Sequence, residues 1–487
     1  MYNGSRHGGL RVQELGTVVN LGLEVVAGLL VLGLAAGALM GLIAPLVAAL
    51  VFLAGMAVVS VISARKWGTA SVRARAGAEG VMALLVVALV GVVVFTHSAG
   101  EKPPPSIDPD QSATPAISTN PNPEALETPI QIGPATPVPT SGTALFAATA
   151  TMTTARDGHT ATLLPDGKVL VAGGHATSEN RSFSSAELYE AGSGTFSPTG
   201  SMVQPRMGHT ATTVRGDGGV RVLIVGGFDD SSQKTTVSAE LYDPEAGSFT
   251  ATGSLSQARL GQTATLLADG RVLVAGGQSR ALALNSAEVY DPRTGAFATT
   301  GSMAQSRFGL TATLLPNGQV LVAGGYNAAQ MWLASAELYD PTTGKFSPTA
   351  DMESPRVFHA AVALADGRVL ITGGIGKHGG SLAPVEIYDP ATGRFSSTGS
   401  MTKPRSWHSV SLLSDGRVLV AGGQNDKTGG FLSSTDIFDP GTNKFTATGS
   451  MQTARSNQTA TLLPDGRTLI VGGDDGSGNL SSAELFG

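Results

Sequence analysis

The chain has 487 residues, only 14% of them charged, with 64 glycines and no cysteine. The length exceeds one ordinary domain, and the lack of cysteine excludes disulfides, thiolate metal sites and cysteine nucleophiles. The formal net charge is −6, with no block of like charge after the first hundred residues, which argues against the basic face that a nucleic-acid partner needs.

Residues 17–63 are almost wholly apolar, interrupted mainly by Asn20, Glu24 and Ser60. As helix this run would be roughly 70 Å long, whereas a bilayer core takes about 20 residues. The run therefore predicts two spans, 17–39 and 42–63, folding back near residues 37–41. A shorter apolar run, 80–97, predicts a third. A cleaved signal peptide is disfavoured, because its apolar region is about 7–15 residues long. Arg6 and Arg11 precede the first span, and Arg65, Lys66, Arg73 and Arg75 lie between the second and third. The positive-inside rule then places the N-terminus in the cytoplasm and everything after His97 outside. The expectation is a multi-pass cell-membrane protein with the lipid bilayer as one partner. Glu24 admits two readings: a buried ionisable group with a task, or a side chain near enough to the interface to reach headgroups. Its position favours the second.

Residues 98–141 carry eleven prolines among many Ser, Thr, Asn and Asp residues. Such a composition cannot bury a core. As a flexible coil its ends would lie about 35–40 Å apart, so it reads as a disordered tether.

From residue 142 to 487 one pattern recurs seven times. Its glycine pairs are Gly173-Gly174, Gly226-Gly227, Gly276-Gly277, Gly324-Gly325, Gly373-Gly374, Gly422-Gly423 and Gly472-Gly473, about 50 residues apart. A strand-rich repeat of that period marks a propeller. In the fourth copy, strand a lies within 307–315 and is followed by the turn Pro316-Asn317-Gly318. Strand b is 319–323, stopped by Gly324-Gly325. Strand c is 335–339, followed by the turn 340–344, and strand d runs through 346–352. Four antiparallel strands per unit make a blade.

An apolar strand ending in Gly-Gly, then a tyrosine, then an aromatic seven residues on, resembles the kelch motif. The pairs are Tyr189/Phe196, Tyr242/Phe249, Tyr290/Phe297, Tyr339/Phe346, Tyr388/Phe395 and Phe438/Phe445. Kelch repeats usually carry Trp at the second place, where this chain has Phe throughout. The resemblance implies an all-β, seven-bladed kelch propeller over residues 142–487 and does not extend to the spans and tether before them; the Arg-over-Lys, Gly- and Ala-rich usage, with copies so alike, points to a bacterial, membrane-anchored protein once the apolar runs are included.

The seventh copy ends after strand c. Residues 142–152 match residues 194–202, with the same step from Phe146 to Met152 as from Phe196 to Met202. The N-terminal strand is therefore expected to complete the last blade and leave no open edge. Alternation of antiparallel strands puts the a–b and c–d turns on one face and the b–c and d–a connections on the other. The turns are nearly uniform. The b–c loops, 175–184, 228–237, 278–285, 326–334, 375–384, 424–433 and 474–480, differ in every copy. Variation among internal copies signals no shared structural demand, and function on propellers lives in such loops. Phe228, Tyr326, Trp332 and Phe431 add apolar bulk there and are candidate ligand contacts.

Arg156, Arg206, Arg259, Arg307, Arg356, Arg405 and Arg455 each follow a Met (or Leu255) by four residues. One reading is a positive ring at the channel mouth for an acidic ligand, as the kelch resemblance also allows. The other is that each arginine bonds carbonyls or an Asp of a neighbouring blade. Occupancy of all seven places favours the second. Three residues further on stand His159, His209, Gln262, Leu310, His359, His408 and Gln458. Without short ligand spacing these predict packing histidines within the blade rather than a metal site. The loop at Asp474 and Asp475 lacks the closing glutamate of a calcium loop.

Some kelch propellers resemble copper-radical oxidases such as galactose oxidase, which use a tyrosine cross-linked to cysteine. This chain has no cysteine, so that cofactor cannot form. Asp229, Asp230, His175 and His378 are the only obvious acid–base groups on the variable face, with no catalytic spacing among them. The sequence thus predicts a non-enzymatic, extracytoplasmic binding module for a protein or glycan, with no cofactor and no metal. A carbohydrate-active enzyme is the alternative.

Overall fold

The computed structural model describes residues 145–487. The expected spans (17–39, 42–63 and 80–97), the tether 98–141 and residues 142–144 lie outside the described residues. Among the described residues no helix is long and apolar enough to cross a membrane.

Seven four-stranded antiparallel sheets form seven blades. In blade 1, strands a to d are Thr160–Leu163, Val169–Ala172, Ala186–Glu190 and Thr195–Pro198. Blades 2 to 6 repeat that order. The a strands lie side by side around the axis, and that of blade 7, Thr459–Leu462, adjoins that of blade 1. In blade 7 the outermost strand is Phe146–Ala148, antiparallel to Ala483–Phe486 with Phe146 opposite Phe486. Both ends of the described chain therefore sit on the face of the a–b and c–d turns.

The b strands explain why the sheets stack. Val-Leu-Val-Ala in blades 1, 3, 4 and 6 is buried at every position. An alternating strand would expose one side, but a blade is covered on both faces by its neighbours, so both faces are apolar. Burying each Val or Leu contributes about 1.5–3 kcal/mol relative to exposure. Leu164, Leu170 and Ala186 of blade 1 pack on Met202, Val222, Ile224 and Tyr242 of blade 2, and every later junction repeats this arrangement.

The glycine pair belongs to the junction. Gly173 has φ 66°, and a Cβ there would lie 2.6 Å from the Arg206 carbonyl oxygen of the next blade. Gly174 donates to that same oxygen at 2.9 Å. Only glycine permits both the left-handed backbone and the close approach.

A second junction lies further out. The Tyr242 hydroxyl on strand c of blade 2 meets the Thr199 hydroxyl after strand d of blade 1 at 2.8 Å. Tyr290–Thr252, Tyr339–Thr300 and Tyr388–Thr349 repeat the contact. Thr149, after the N-terminal strand, meets Tyr189 of blade 1 at 3.0 Å. The N-terminal strand thus stands to blade 1 as each d strand stands to the blade that follows it. Blade 6 has Phe438 in place of the tyrosine, and the Thr398 hydroxyl that would face it is buried without a partner.

Deleting residues 142–152 should strip blade 7 of its outer strand and lower the Tm of the whole domain. An unchanged Tm by differential scanning calorimetry would contradict this account of closure.

Candidate functional site

The b–c loops share a backbone despite their different sequences. Five form two-stranded ribbons: His175–Ala176 with Arg181–Ser182, Phe228–Asp229 with Lys234–Thr235, Gln278–Ser279 with Leu282–Ala283, Tyr326–Asn327 with Met331–Trp332, and Gln424–Asn425 with Gly430–Phe431. The other two close through single bridges, Ile375–Ser381 and Asp474–Asn479. This corrects the expectation of no shared structural demand. Backbone ladders need no particular side chain, so sequence variation concealed them.

Each ribbon is pinned to the segment leading into its own strand a. The pairs are Asp157–His175, Met207–Phe228, Leu260–Gln278, Phe308–Tyr326, Val357–Ile375, Ser406–Gln424 and Ser456–Asp474. The next residue along sits at the channel mouth with φ between 55° and 63° in all seven blades: Gly158, Gly208, Gly261 and Gly309, then Phe358, Trp407 and Asn457. Backbone bonds pass between blades at this level, including Gly208 to Gly158, Phe358 to Gly309 and Asn457 to Trp407, each at 3.0 Å.

An aromatic side chain at positive φ is strained by about 1–3 kcal/mol and persists only where its surroundings hold it. Here two stand side by side. Phe358 and Trp407 stack at 3.6 Å between ring centroids and 23° between planes. Phe358 also occupies the space left by Gly309, where a Cβ would lie 2.7 Å from its ring. It meets Phe308 edge-on at 5.7 Å, Phe308 meets Tyr326 at 5.5 Å, and Tyr326 meets Trp332 at 6.0 Å. A continuous row, Trp332–Tyr326–Phe308–Phe358–Trp407, therefore crosses the mouth from blade 4 to blade 6, every member half-buried. The strand Leu282–Ala283 of blade 3 lies against Tyr326–Asn327 and extends the apolar surface, with Leu282 66% and Met331 42% exposed.

The opposite side of the mouth is acidic. His175 Nδ1 lies 2.5 Å from Asp157 Oδ1. That contact raises the imidazole pKa, against the opposing effect of burial. Burial raises the Asp474 pKa, with a further push from the Asp157 and Asp475 charges and a counter-pull from the Gly476 amide. Asp475 is engaged by Ser477 and by the Gly478 amide. Among the described residues, no three His, Cys, Asp or Glu side chains gather closely enough to hold a metal ion.

The KLHDC2/KLHL20/DRC7 kelch-repeats domain model matches residues 295–473, and the kelch motif model matches residues 260–304. The seven-bladed propeller thus carries kelch repeats. Among solved structures it is similar to a novel fungal alcohol oxidase with catalytic diversity among the AA5 family, in complex with copper. The TM-score is 0.57 at 18% identity, covering 71% of this chain and 76% of that one. At that identity the likeness is one of fold. No curated protein matches the chain significantly.

The kelch arginines do not line the mouth. Arg156, Arg206, Arg259, Arg307, Arg356, Arg405 and Arg455 are all 0% exposed. Arg307 Nη1 donates to the Gly324 and Ser335 carbonyls, each at 2.8 Å, and Nη2 to Glu337 Oε1 at 2.9 Å. Glu337 Oε2 accepts the Ala304 amide at 2.8 Å. The acceptors are thus carbonyls and a carboxylate of the same blade, not an Asp of a neighbour. Six blades use Glu. Blade 6 uses the shorter Asp436, and there the Thr402 hydroxyl supplies the second bond at 2.6 Å. With Nη1 and Nη2 committed and the whole side chain enclosed, the guanidinium offers no edge to a ligand.

The histidines bridge blades rather than packing within one. His209 of blade 2 meets Thr160 of blade 1 at 3.0 Å, and His159 meets Thr459 of blade 7 at 3.1 Å. His359 and His408 do likewise with Thr311 and Thr372. Gln262 and Gln458 make the equivalent tie to the Val225 and Ala421 carbonyls. Burial, reinforced by neighbouring arginines, pushes the pKa of His159, His209 and His359 down to about 3 and that of His408 well below its usual value.

Of the loop aromatics expected on this face, Tyr326 and Trp332 come together, while Phe228 sits apart on blade 2. Phe431 is packed under blade 7, where a Cβ on Gly476 would lie 2.7 Å from its ring. Phe308, Phe358 and Trp407 were not among the expected residues. For Phe358 and Trp407 the signal is the change from glycine to aromatic in their column; Phe308 stands one position earlier in its repeat and carries no such mark.

Removing either member of an arginine–carboxylate pair leaves a buried charge uncompensated, so Arg307→Ala or Glu337→Gln should cost about 3–5 kcal/mol by denaturant unfolding. A loss below about 1 kcal/mol would contradict the assigned role.

The histidines set a pH dependence. Their folded pKa lies below the unfolded value of about 6.5. The stability they contribute is complete above that pH and is lost as pH falls toward 3. Tm should drop between pH 7 and 5. Replacing His159, His209, His359 and His408 by Gln, as blades 3 and 7 already have, should flatten that slope; a slope as steep as the parent's would refute the argument.

Proposed function

We propose that the kelch propeller is a binding module for a protein or glycan, and that its ligand seats on the b–c face over blades 4 to 6. The observation that carries this reading is the aromatic row at the mouth. The chain is only 5% aromatic, yet five rings meet in succession, two of them at strained backbone positions where four other blades use glycine. Folding alone would not retain strain that a simpler residue removes. Half-buried Trp and Tyr side chains in one cluster have the composition of a binding hot spot.

The apolar runs before residue 98 and the basic residues between them support a membrane anchor with the propeller outside the cytoplasm. Both ends of the described propeller lie on the uniform face, so a tether attached there leaves the b–c face free to meet a ligand.

A second reading, a carbohydrate-active enzyme, draws on the Asp157–His175 pair beside Asp474 and on the fold shared with an oxidase. Turnover of a presented glycan, abolished by Asp474→Asn, would favour it. Saturable binding without product favours the binding module.

Phe358→Gly and Trp407→Gly test the first reading most sharply. Each gives its blade the residue of blades 1 to 4 and relieves strain while removing a ring. Binding of the full-length chain to its ligand should fall at least tenfold while Tm stays essentially unchanged. Undiminished binding in the double variant would defeat the assignment.

A further inference from the structure

One a–b turn departs from the other six. In blade 1 the three residues Pro165-Asp166-Gly167 separate buried Leu164 from Lys168, and five further blades keep that length. In blade 2 the six residues 215–220 separate buried Val214 from Arg221. Strands a and b there reach seven residues each, against four in every other blade. They pair as far as Gly216 opposite Gly219. Three added residues lengthen a hairpin by about 5 Å, so this one stands out from the face of the turns. Its tip reads Arg215-Gly216-Asp217-Gly218.

The insertion also parts charges that pair elsewhere. In the shorter turns the aspartate holds the basic residue two positions on: Asp166 with Lys168 at 3.1 Å, Asp269 with Arg271 and Asp366 with Arg368 at 2.7 Å, Asp415 with Arg417 and Asp465 with Arg467 at 2.6 Å. The neutral version, Asn317 with Gln319, closes at 2.9 Å. In blade 2 Arg221 turns instead to Asp243 at 2.9 Å, and Arg293 on the neighbouring turn is held by Asp291, also at 2.9 Å. Arg215 and Asp217 are exposed, and neither side chain makes an ion pair or hydrogen bond among the described residues. Gly216 has a structural reason: a Cβ there would lie 2.7 Å from the Pro292 carbonyl oxygen of blade 3. The glycine seats the hairpin against the next blade. The charges on either side of it serve no contact of the domain.

A guanidinium and a carboxylate two residues apart on a seated tip form an ordered pair of recognition groups. The guanidinium binds carboxylates in a planar, bidentate way. A lone aspartate is a hard oxygen donor that completes the shell of a partly hydrated divalent cation. A polyanion or anionic membrane would attract Arg215 and be repelled by Asp217. The partner that answers both groups holds a cation at one end of a cleft and carboxylates at the other. Contact with blade 3 removes part of the ordering cost that a free segment of the same sequence meets on binding.

We infer that Arg215-Gly216-Asp217 is a second binding site, recognised by a protein receptor with a divalent cation in its cleft: Asp217 ligates the cation and Arg215 pairs with carboxylates beyond it. The hairpin lies on the a–b face, away from the aromatic row. The inference therefore does not rest on the assignment of a ligand to the b–c face, and both contacts can be occupied together.

The test passes the full-length chain in lipid nanodiscs over an immobilised integrin ectodomain, a receptor with that cleft chemistry, in Mn²⁺ and again in EDTA. Saturable binding in Mn²⁺ that is lost in EDTA is expected, with competition by the linear peptide Gly-Arg-Gly-Asp-Ser. Asp217→Glu keeps the charge but moves the carboxylate by one methylene, and it should weaken binding by about tenfold or more, as should Arg215→Gln. Asp166→Glu in a paired turn should change nothing, nor should Phe358→Gly with Trp407→Gly on the other face. Every variant should keep the parent Tm. No binding in Mn²⁺, binding that survives EDTA, or an Asp217→Glu variant as tight as the parent overturns the inference. Binding that ignores the hairpin variants and is lost with the b–c double variant overturns it too, by moving the contact to the aromatic row.

Discussion

The structure depends on a buried arginine–carboxylate pair repeated in every blade. One guanidinium reaches the end of strand b, the start of strand c and a carboxylate on strand c, while that carboxylate also holds the segment leading into strand a. Three pieces of chain that would otherwise splay apart at one face are joined by a single side chain. The pair lies in low dielectric, where an unpartnered charge is costly, so each member makes the other obligatory. Blade 6 shows how firm the demand is: a carboxylate one carbon shorter is accompanied by a threonine hydroxyl that restores the second bond.

With the blades fixed internally, the junctions between them are made from small residues and hydroxyls. The glycine pair lets one blade's backbone reach the next blade's arginine carbonyl. Tyr–Thr contacts bind the outer edges, and His–Thr contacts bind the inner ones. The N-terminal strand takes part through Thr149 and Tyr189, so the last junction has the Tyr–Thr contact of four others, while blades 6 and 7 carry Phe438 and Phe486 in the tyrosine's place. Seven junctions distribute the closure of the ring, which leaves individual positions at the mouth free to vary.

Function is read from that freedom. The same backbone column carries glycine in four blades and Phe358, Trp407 and Asn457 in the other three. The repeated scaffold supplies a left-handed socket in every blade, and two blades fill it with aromatic side chains the socket disfavours. Strain tolerated at one side of a mouth, beside exposed apolar groups, distinguishes the proposed recognition surface from the uniform turns of the opposite face.

The repeat, the number of blades and the position of the b–c loops were legible in the sequence, because the Gly-Gly spacing, the Tyr/Phe register and the turn residues are local signals copied seven times. The missing strand of the last copy and its match near residue 146 were legible for the same reason. That the seven arginines and the histidines are enclosed was favoured by the sequence, but their partners were not legible. Arg307 and His209 are ionisable side chains in loop-proximal positions, and only the fold brings carbonyls, Glu337 and Thr160 around them. Nor could spacing reveal that Phe308, Tyr326 and Trp332 of one blade meet Phe358 and Trp407 of the next two. The linear code determined the architecture because each blade repeats its own short-range instructions. Tertiary structure decided the site, because contact between blades depends on chain segments about 50 residues apart arriving at one rim.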